Sequence, residues 1–346
     1  MRFAIATFHV PHPEGAAAGR QLWALAEALR ADDHDVEAWC WGPNRDGLPV
    51  PSWCEWQPYV APAGWRVKPQ TLLRPRRFLA RAGWRPPAGA VGWADDWSSW
   101  PAVDRDGAPA LLTVHYDVGL DARALHWSLP RVQDWRAQRY AVGRSPCTVA
   151  LSDRVAAAAG VRTVVPATVP MPAEALPASD EPRALMLADW SWPANLEALR
   201  MLLDGWSRVR ARVPGATLLV AGRGAPDVAG DGVRVIGPVA RTVDAMAEAA
   251  VLAFPCPPTS GPKLKVLDAC AAGLPVVTTA AGAEGLAVPA GSVATADAAG
   301  YLDVLADVLA DPGRRATMAE TARGAVLAHH APAVAARARV AALVSR

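Results

Sequence analysis

The sequence predicts an α/β protein of two successive doubly wound parallel-sheet domains, and three observations carry that prediction. Short β-branched or apolar runs alternate with longer Ala/Leu-rich helical stretches, the pattern of βα units wound around a parallel sheet. A proline-rich passage, VPMPAEALPASDEPR from Val169 to Arg183, interrupts the alternation, which then restarts. The chain has 346 residues and 52% hydrophobic content, too long for one ordinary domain and apolar enough to fill two cores.

In the first domain, residues 1–168, the expected strands are Phe3–Phe8, Val36–Trp41, Ala90–Trp93, Leu111–His115, Thr148–Leu151 and Thr163–Val165. The first helix lies between Gly19 and Arg30, where Leu22, Leu25, Ala26 and Leu29 recur at helical spacing behind a Gly/Ala loop. Residues 169–183 read as a linker. The second domain, 184–330, begins with strand Ala184–Ala188 and helix Asn195–Val213, followed by strands Thr217–Ala221 and Val233–Ile236 and helix Thr242–Ala250. Strand Val251–Pro255, helix Lys263–Ala272, strand Val276–Thr279 and Ala-rich helices from about Ala296 complete it, and the last stretch, 331–346, reads as a helix suited to returning to the first domain.

Composition narrows the function. Lys plus Arg at 35 against Asp plus Glu at 33 gives a net charge of +2, which leaves no basic stripe for nucleic acid. Five cysteines (Cys40, Cys54, Cys147, Cys256, Cys270) show neither metal-ligand spacing nor a disulfide framework, and fit a reducing cytoplasm. The opening stretch Met1–Val10 reads as a buried strand rather than a signal peptide, and no apolar run is long enough to cross a bilayer, so any membrane contact is expected to be peripheral. Lysine occurs three times, at Lys68, Lys263 and Lys265, so two of the three share one short segment.

That segment is the richest in chemistry. Ligands of open α/β sheets bind beyond the carboxyl ends of the strands, and TSGPKLKVLDACAAGLPVVTT, from Thr259 to Thr279, follows one. Pro262 suits the first turn of a helix that Gly261 or Ser260 would cap, leaving backbone N–H groups and the positive dipole end for a phosphate. Lys263 and Lys265 would add charge-assisted bonds, and Asp268, a turn further on, a carboxylate for ribose hydroxyls. An ordinary amphipathic helix with two solvated lysines and a surface aspartate is the competing reading of the spacing alone.

The stretch Ser260–Leu286, SGPKLKVLDACAAGLPVVTTAAGAEGL, resembles the donor-site signature of glycosyltransferase family 4, retaining enzymes of the GT-B fold. LADWSWPANLEAL from Leu187, PGATLLVAGRG from Pro214 and VALSDRVAAAAGV from Val149 have counterparts in the same order. The resemblance covers roughly residues 145–330 well and the first 144 more loosely. It implies two Rossmann-like domains facing across a cleft. It also implies sugar transfer from a UDP-, GDP- or TDP-type nucleotide sugar, without metal or other cofactor, to a small-molecule, glycan or lipid-linked acceptor.

Carried over by position, Gly261, Lys263 and Lys265 would hold the diphosphate, Asp268 the ribose, and Gly222 and Arg223, in the turn after a strand, would line the nucleotide pocket. Many family members place a glutamate where this chain has Ser260, and that glutamate contacts hydroxyls of the donor sugar; Asp268 is a shorter acid than the usual glutamate. The donor is therefore left open to a different or deoxygenated sugar. In the first domain, the loop Pro13–Arg20 with Gly15 resembles the small-residue loop facing the donor. His115, ending a strand in Thr113-Val114-His115-Tyr116-Asp117, takes the place of a cleft histidine with a catalytic role and is expected opposite Gly261 and Lys265. Asp95 and Asp96 follow another strand and are candidates to receive the acceptor proton.

Rival readings are a GT-A transferase with a metal on Asp104-Arg105-Asp106, a catalytically silent GT-B scaffold or partner subunit, which Ser260 keeps open, and a nucleotide-sugar epimerase. Of the 15 tryptophans, the group Trp93, Trp97 and Trp100 is the first candidate for an aromatic platform under an acceptor, with core filling as the alternative.

Overall fold

The computed structural model describes residues 1–44, 47–58, 84–126 and 128–345; Lys68 lies outside them. The chain divides into two compact units, Met1–Pro170 with Pro332–Arg346, and Met171–Ala331.

The sheet of the first unit has seven described strands: β1 (Arg2–Thr7), β2 (Asp35–Cys40), β3 (Cys54–Trp56), β4 (Val91–Ala94), β5 (Ala110–Val114), β6 (Cys147–Ala150) and β7 (Thr163–Val164). Their order is β3-β2-β1-β4-β5-β6-β7, and all the pairings are parallel. The chain moves outward from β1 through β2 and β3, then crosses back to β4 and moves out the other way. The reversal opens a crevice beyond the carboxyl ends of β1 and β4. Central strands run almost wholly buried, Ala-Leu-Leu-Thr-Val in β5 for example, because helices cover both faces of a parallel sheet.

Four tryptophans, Trp39, Trp41, Trp93 and Trp100, are among the largest fully buried side chains, and Trp97 shares a core cluster with Trp39, Trp41 and Trp100. The indoles of Trp41 and Trp93 donate to Ser99 Oγ (2.8 Å) and Thr113 Oγ1 (3.0 Å). Trp93, Trp97 and Trp100 are core, which corrects the acceptor-platform reading. A stacking platform must show a face to solvent, and these rings are at most 6% exposed.

The second sheet has β8 (Arg183–Leu187), β9 (Thr217–Ala221), β10 (Val233–Gly237), β11 (Val251–Phe254), β12 (Val276–Thr278) and β13 (Ala294–Thr295). Its order is β10-β9-β8-β11-β12-β13, again parallel throughout, with the reversal between β8 and β11. The proline-rich stretch ahead of β8 is tied to this unit. Leu176 N–H donates to Ala272 O (2.8 Å), and Arg323 and Arg315 donate to carbonyls of Pro172 and Ser179 (3.1 and 3.2 Å). Arginine donors thus satisfy carbonyls that a proline-rich chain cannot pair in a ladder of its own.

The helix Pro332–Val344 packs in the first unit. Arg339, 1% exposed, donates from Nη1 to Pro166 O and Ala335 O, while its Nε and Nη2 have no hydrogen-bond partner among the described residues. Among the described residues no helix is long and apolar enough to cross a membrane.

Candidate active site

In each unit the polar side chains collect where the strand order reverses. In the second unit, the loop after β11 runs into the helix Leu264–Ala272, and Lys265 stands on its first turn. The Lys265 ammonium donates to Asn195 Oδ1 (2.9 Å) and lies 4.1 Å from the centre of the Phe254 ring. Asn195, 3% exposed at the start of the helix Pro193–Arg212, is held by its own amide on Asp189 O (2.7 Å), just beyond β8. Two elements flanking the reversal are thereby pinned to one ammonium group. Burial, reinforced by Lys263, brings the Lys265 pKa down to about 7 against the opposing pull of Cys256 and Asp189.

Lys263 is turned elsewhere. It is 8% exposed and donates to the carbonyl oxygens of Thr259, Ser260 (2.9 Å) and Gly261. The helix therefore starts at Leu264 with an extended Lys263 as its N-cap, and Pro262 lies before it. This corrects the expected place of Pro262 in the first turn with Gly261 or Ser260 as cap, and the expected presentation of two ammonium groups: a lysine whose donors are taken by three carbonyls shapes the loop. Gly261 has φ +77°, a left-handed conformation that favours glycine, and its N–H donates to Glu284 Oε1 (3.0 Å). Ser260 and Asp268 are both buried, at 6% and 7% exposure, Asp268 one turn beyond Lys265.

Gly222 follows β9 with φ +117°, and a Cβ there would lie 1.9 Å from Ala188 O, so the turn beside the end of β8 admits only glycine. Arg223 is exposed on that turn, and its carbonyl accepts from Trp190 N (3.1 Å).

In the first unit, Thr7, His9, Asp95, Asp96 and His115 follow β1, β4 and β5 at their carboxyl ends. His115 Nε2 donates to Asp95 O (2.5 Å) and lies 3.5 Å from Asp95 Oδ1; Asp95 Oδ2 accepts from Thr7 Oγ1 (3.2 Å). The other ring nitrogen, Nδ1, meets Gln21 Nε2 at 3.3 Å, and Gln21 Oε1 accepts from Thr168 N (3.2 Å). Burial pulls the His115 pKa down, but the hydrogen bond and charge of Asp95, with Asp96 behind, outweigh it and the net shift is upward. The Gln21 amide, oriented by Thr168, fits the neutral ring, so gaining the second proton means turning Gln21 away.

Asp96 caps the short helix Trp97–Ser99 through Ser98 N (2.9 Å), and burial raises its pKa to about 6. His9 is a member of this group that sequence reasoning passed over. Burial lowers its pKa, Asp95 opposes and His115 assists. Its place directly after β1 was the available signal.

Gly15 makes a turn with its N–H on His12 O (3.1 Å), and a Cβ there would meet neighbours no closer than 3.3 Å. Gly19, in the helix Ala17–Ala31, is the position without room, since a Cβ would come 2.2 Å from Val10 O. Asp104 and Asp106 stand before β5, at the amino end of the sheet away from this group, and both pair with Arg144 (3.3 and 2.6 Å). Among the described residues no group of three or more His, Cys, Asp or Glu side chains is arranged to hold a metal ion.

Two doubly wound parallel domains with polar groups gathered at both strand reversals define the GT-B architecture of nucleotide-sugar glycosyltransferases. Residues 181–311 match the family model described as Glycosyl transferases group 1. No curated protein matches the sequence. Among solved structures, sucrose-phosphate synthase from Thermosynechococcus elongatus is similar with a TM-score of 0.73 at 17% identity, over 97% of each chain. HepE from Anabaena, in complex with UDP and glucose, gives 0.67 at 15% over all of both chains. WaaG, a glycosyltransferase involved in lipopolysaccharide biosynthesis, gives 0.65 at 16%, over 97% of this chain and 98% of that one. At these identities the likeness is one of fold.

Proposed function

We propose that the chain transfers a hexose or related sugar from a nucleotide diphosphate donor to an acceptor, with retention of anomeric configuration and without a metal. The observation that carries this reading is Lys265: a partly buried ammonium group on the first turn of a helix, at the strand reversal where ligands of such sheets bind. A departing diphosphate needs positive charge fixed before the reaction, and a desolvated ammonium at a helix N-terminus supplies it with little reorganisation. Asp268 serves the ribose, Gly222 and Arg223 border the nucleotide, and Lys263 shapes the phosphate loop from behind.

His115, with Asp95 holding the ring at Nε2 and Gln21 turning away from Nδ1, supplies a group that hydrogen-bonds the sugar or stabilises charge near the anomeric carbon. That Anabaena HepE is seen with UDP makes uridine nucleotides the first to test. A thermal-shift panel of UDP-, GDP- and dTDP-sugars, with and without chelator, checks the donor, because a bound ligand raises the melting temperature by mass action. A chelator-insensitive shift with at least one donor is expected; no shift with any would overturn the reading. Proton NMR of the product of the active pair then reads the anomeric configuration.

A further inference from the structure

Three carbonyls of the loop before Leu264 turn toward the Lys263 ammonium. In a trans peptide the N–H points opposite to its C=O, and the described bonds are all trans, so the N–H groups of Ser260 and Gly261 face away from that lysine. What meets the Gly261 N–H is a carboxylate, Glu284 Oε1 at 3.0 Å.

Glu284 is held there by construction. It lies in the turn after β12, where Gly282 N–H donates to Thr279 O (2.9 Å) and Thr279 Oγ1 donates to Cys256 O (2.7 Å), at the root of the loop. A Cβ on Gly282 would come 1.8 Å from Thr278 Oγ1, so this turn packs directly against the strand ends. A half-buried acid thus overhangs the strand reversal, one loop away from the helix start that offers positive charge.

A carboxylate is a hydrogen-bond acceptor only. Next to a diphosphate seat it repels phosphate oxygens and attracts hydroxyl donors, so the two ends of the seat suit the two ends of a nucleotide sugar. We propose that Glu284 is a donor-specificity residue that accepts hydrogen bonds from hydroxyls of the donor hexose, the Gly261 N–H fixing its carboxylate. This rests on the nucleotide-sugar reading. It selects a hydroxylated sugar, with the acid supplied from the β12 turn where residue 260 is a short serine.

The test titrates wild type, Glu284→Gln and Glu284→Ala with UDP, GDP and dTDP and with their hexose derivatives. Glutamine keeps an acceptor for the Gly261 N–H, so the loop survives while the charged acceptor is lost. The expected result is nucleoside diphosphate affinity that is unchanged or tighter in both variants, while affinity for the nucleotide hexose falls about 10- to 100-fold. Equal losses for diphosphate and sugar derivative, no loss in either, or a wild type to which the hexose adds no affinity would overturn the role of Glu284 and leave the nucleotide site standing. A wild type that binds none of the nucleotides overturns both.

Discussion

An ammonium group that has lost most of its water binds an anion together with a proton. Lys265, with its pKa brought down to about 7, is largely protonated below that pH and loses its proton above it. A bound diphosphate restores the higher pKa, so donor affinity is flat below about pH 7 and falls by up to about tenfold per pH unit above it. Titrations of a nucleotide sugar between pH 6 and 9 check this, and Lys265→Ala is expected to bind weakly with no such slope. Folding shows the opposite face of the same shift: for a lysine with a depressed native pKa, stability rises with pH above about 7 and is lowest below it. Lys265→Met is therefore expected to melt higher than wild type at pH 6 while losing donor binding.

At His115, replacement by alanine is expected to cut turnover by about 10²-fold while leaving diphosphate affinity intact, the scale of a positioned acid or base. A folded variant with normal kcat would remove the catalytic role. Asp268→Asn is expected to weaken ribonucleotides more than 2′-deoxynucleotides, because an amide offers one acceptor oxygen where a carboxylate offers two; equal losses would take Asp268 off the ribose.

Among the elements, the glycines separate turns that need room from turns that only tolerate it. Gly19→Ala forces a methyl to within 2.2 Å of Val10 O and is expected to destabilise by about 1 to 3 kcal/mol, whereas Gly15→Ala, whose methyl would make tight 3.3 Å contacts that a small shift of the Leu48 side chain and the His12 carbonyl relieves, is expected to cost less than about 1 kcal/mol in thermal or urea unfolding. The sequence pointed to Gly15, because a Gly/Ala loop before a helix announces a turn but not which carbonyl lies over it. The central strands were legible within a residue or two, being continuous apolar runs. β3 and β13 were not: three and two residues long, they sit at sheet edges and carry no periodicity. The helix Leu129–Arg144 was missed for a related reason, since of its 16 residues only Ala137, Gln138 and Ala141 are buried and the rest show no apolar stripe. The donor loop was legible as a segment but not in its details. Nothing in the spacing of Lys263 and Lys265 reveals that one faces three carbonyls and the other Asn195 and the Phe254 ring, or that Glu284, 23 residues after Gly261, closes on its N–H.

At the scale of the molecule, the alternation of strands and helices with one proline-rich break announced two doubly wound sheets, and the strand orders observed have one reversal in each. The buried tryptophans show what composition cannot decide, since the same residue fills a core or makes a platform depending on which face of which strand it occupies. The last helix belongs to the first unit, where it covers Cys147, whose thiol lies 3.4 Å from Ala342 O. Deleting residues 332–346 is expected to lower stability and make Cys147 react with thiol reagents that leave it untouched in the full chain. The central claim, that a nucleotide diphosphate seats on the helix start at Lys265, is tested most directly by calorimetric titration of UDP, GDP and dTDP into wild type and Lys265→Ala at pH 7. At least one nucleotide is expected to bind the wild type, with the variant losing about 1.5 to 3 kcal/mol of that affinity; equal affinity in the two proteins would rule out Lys265 as part of the seat.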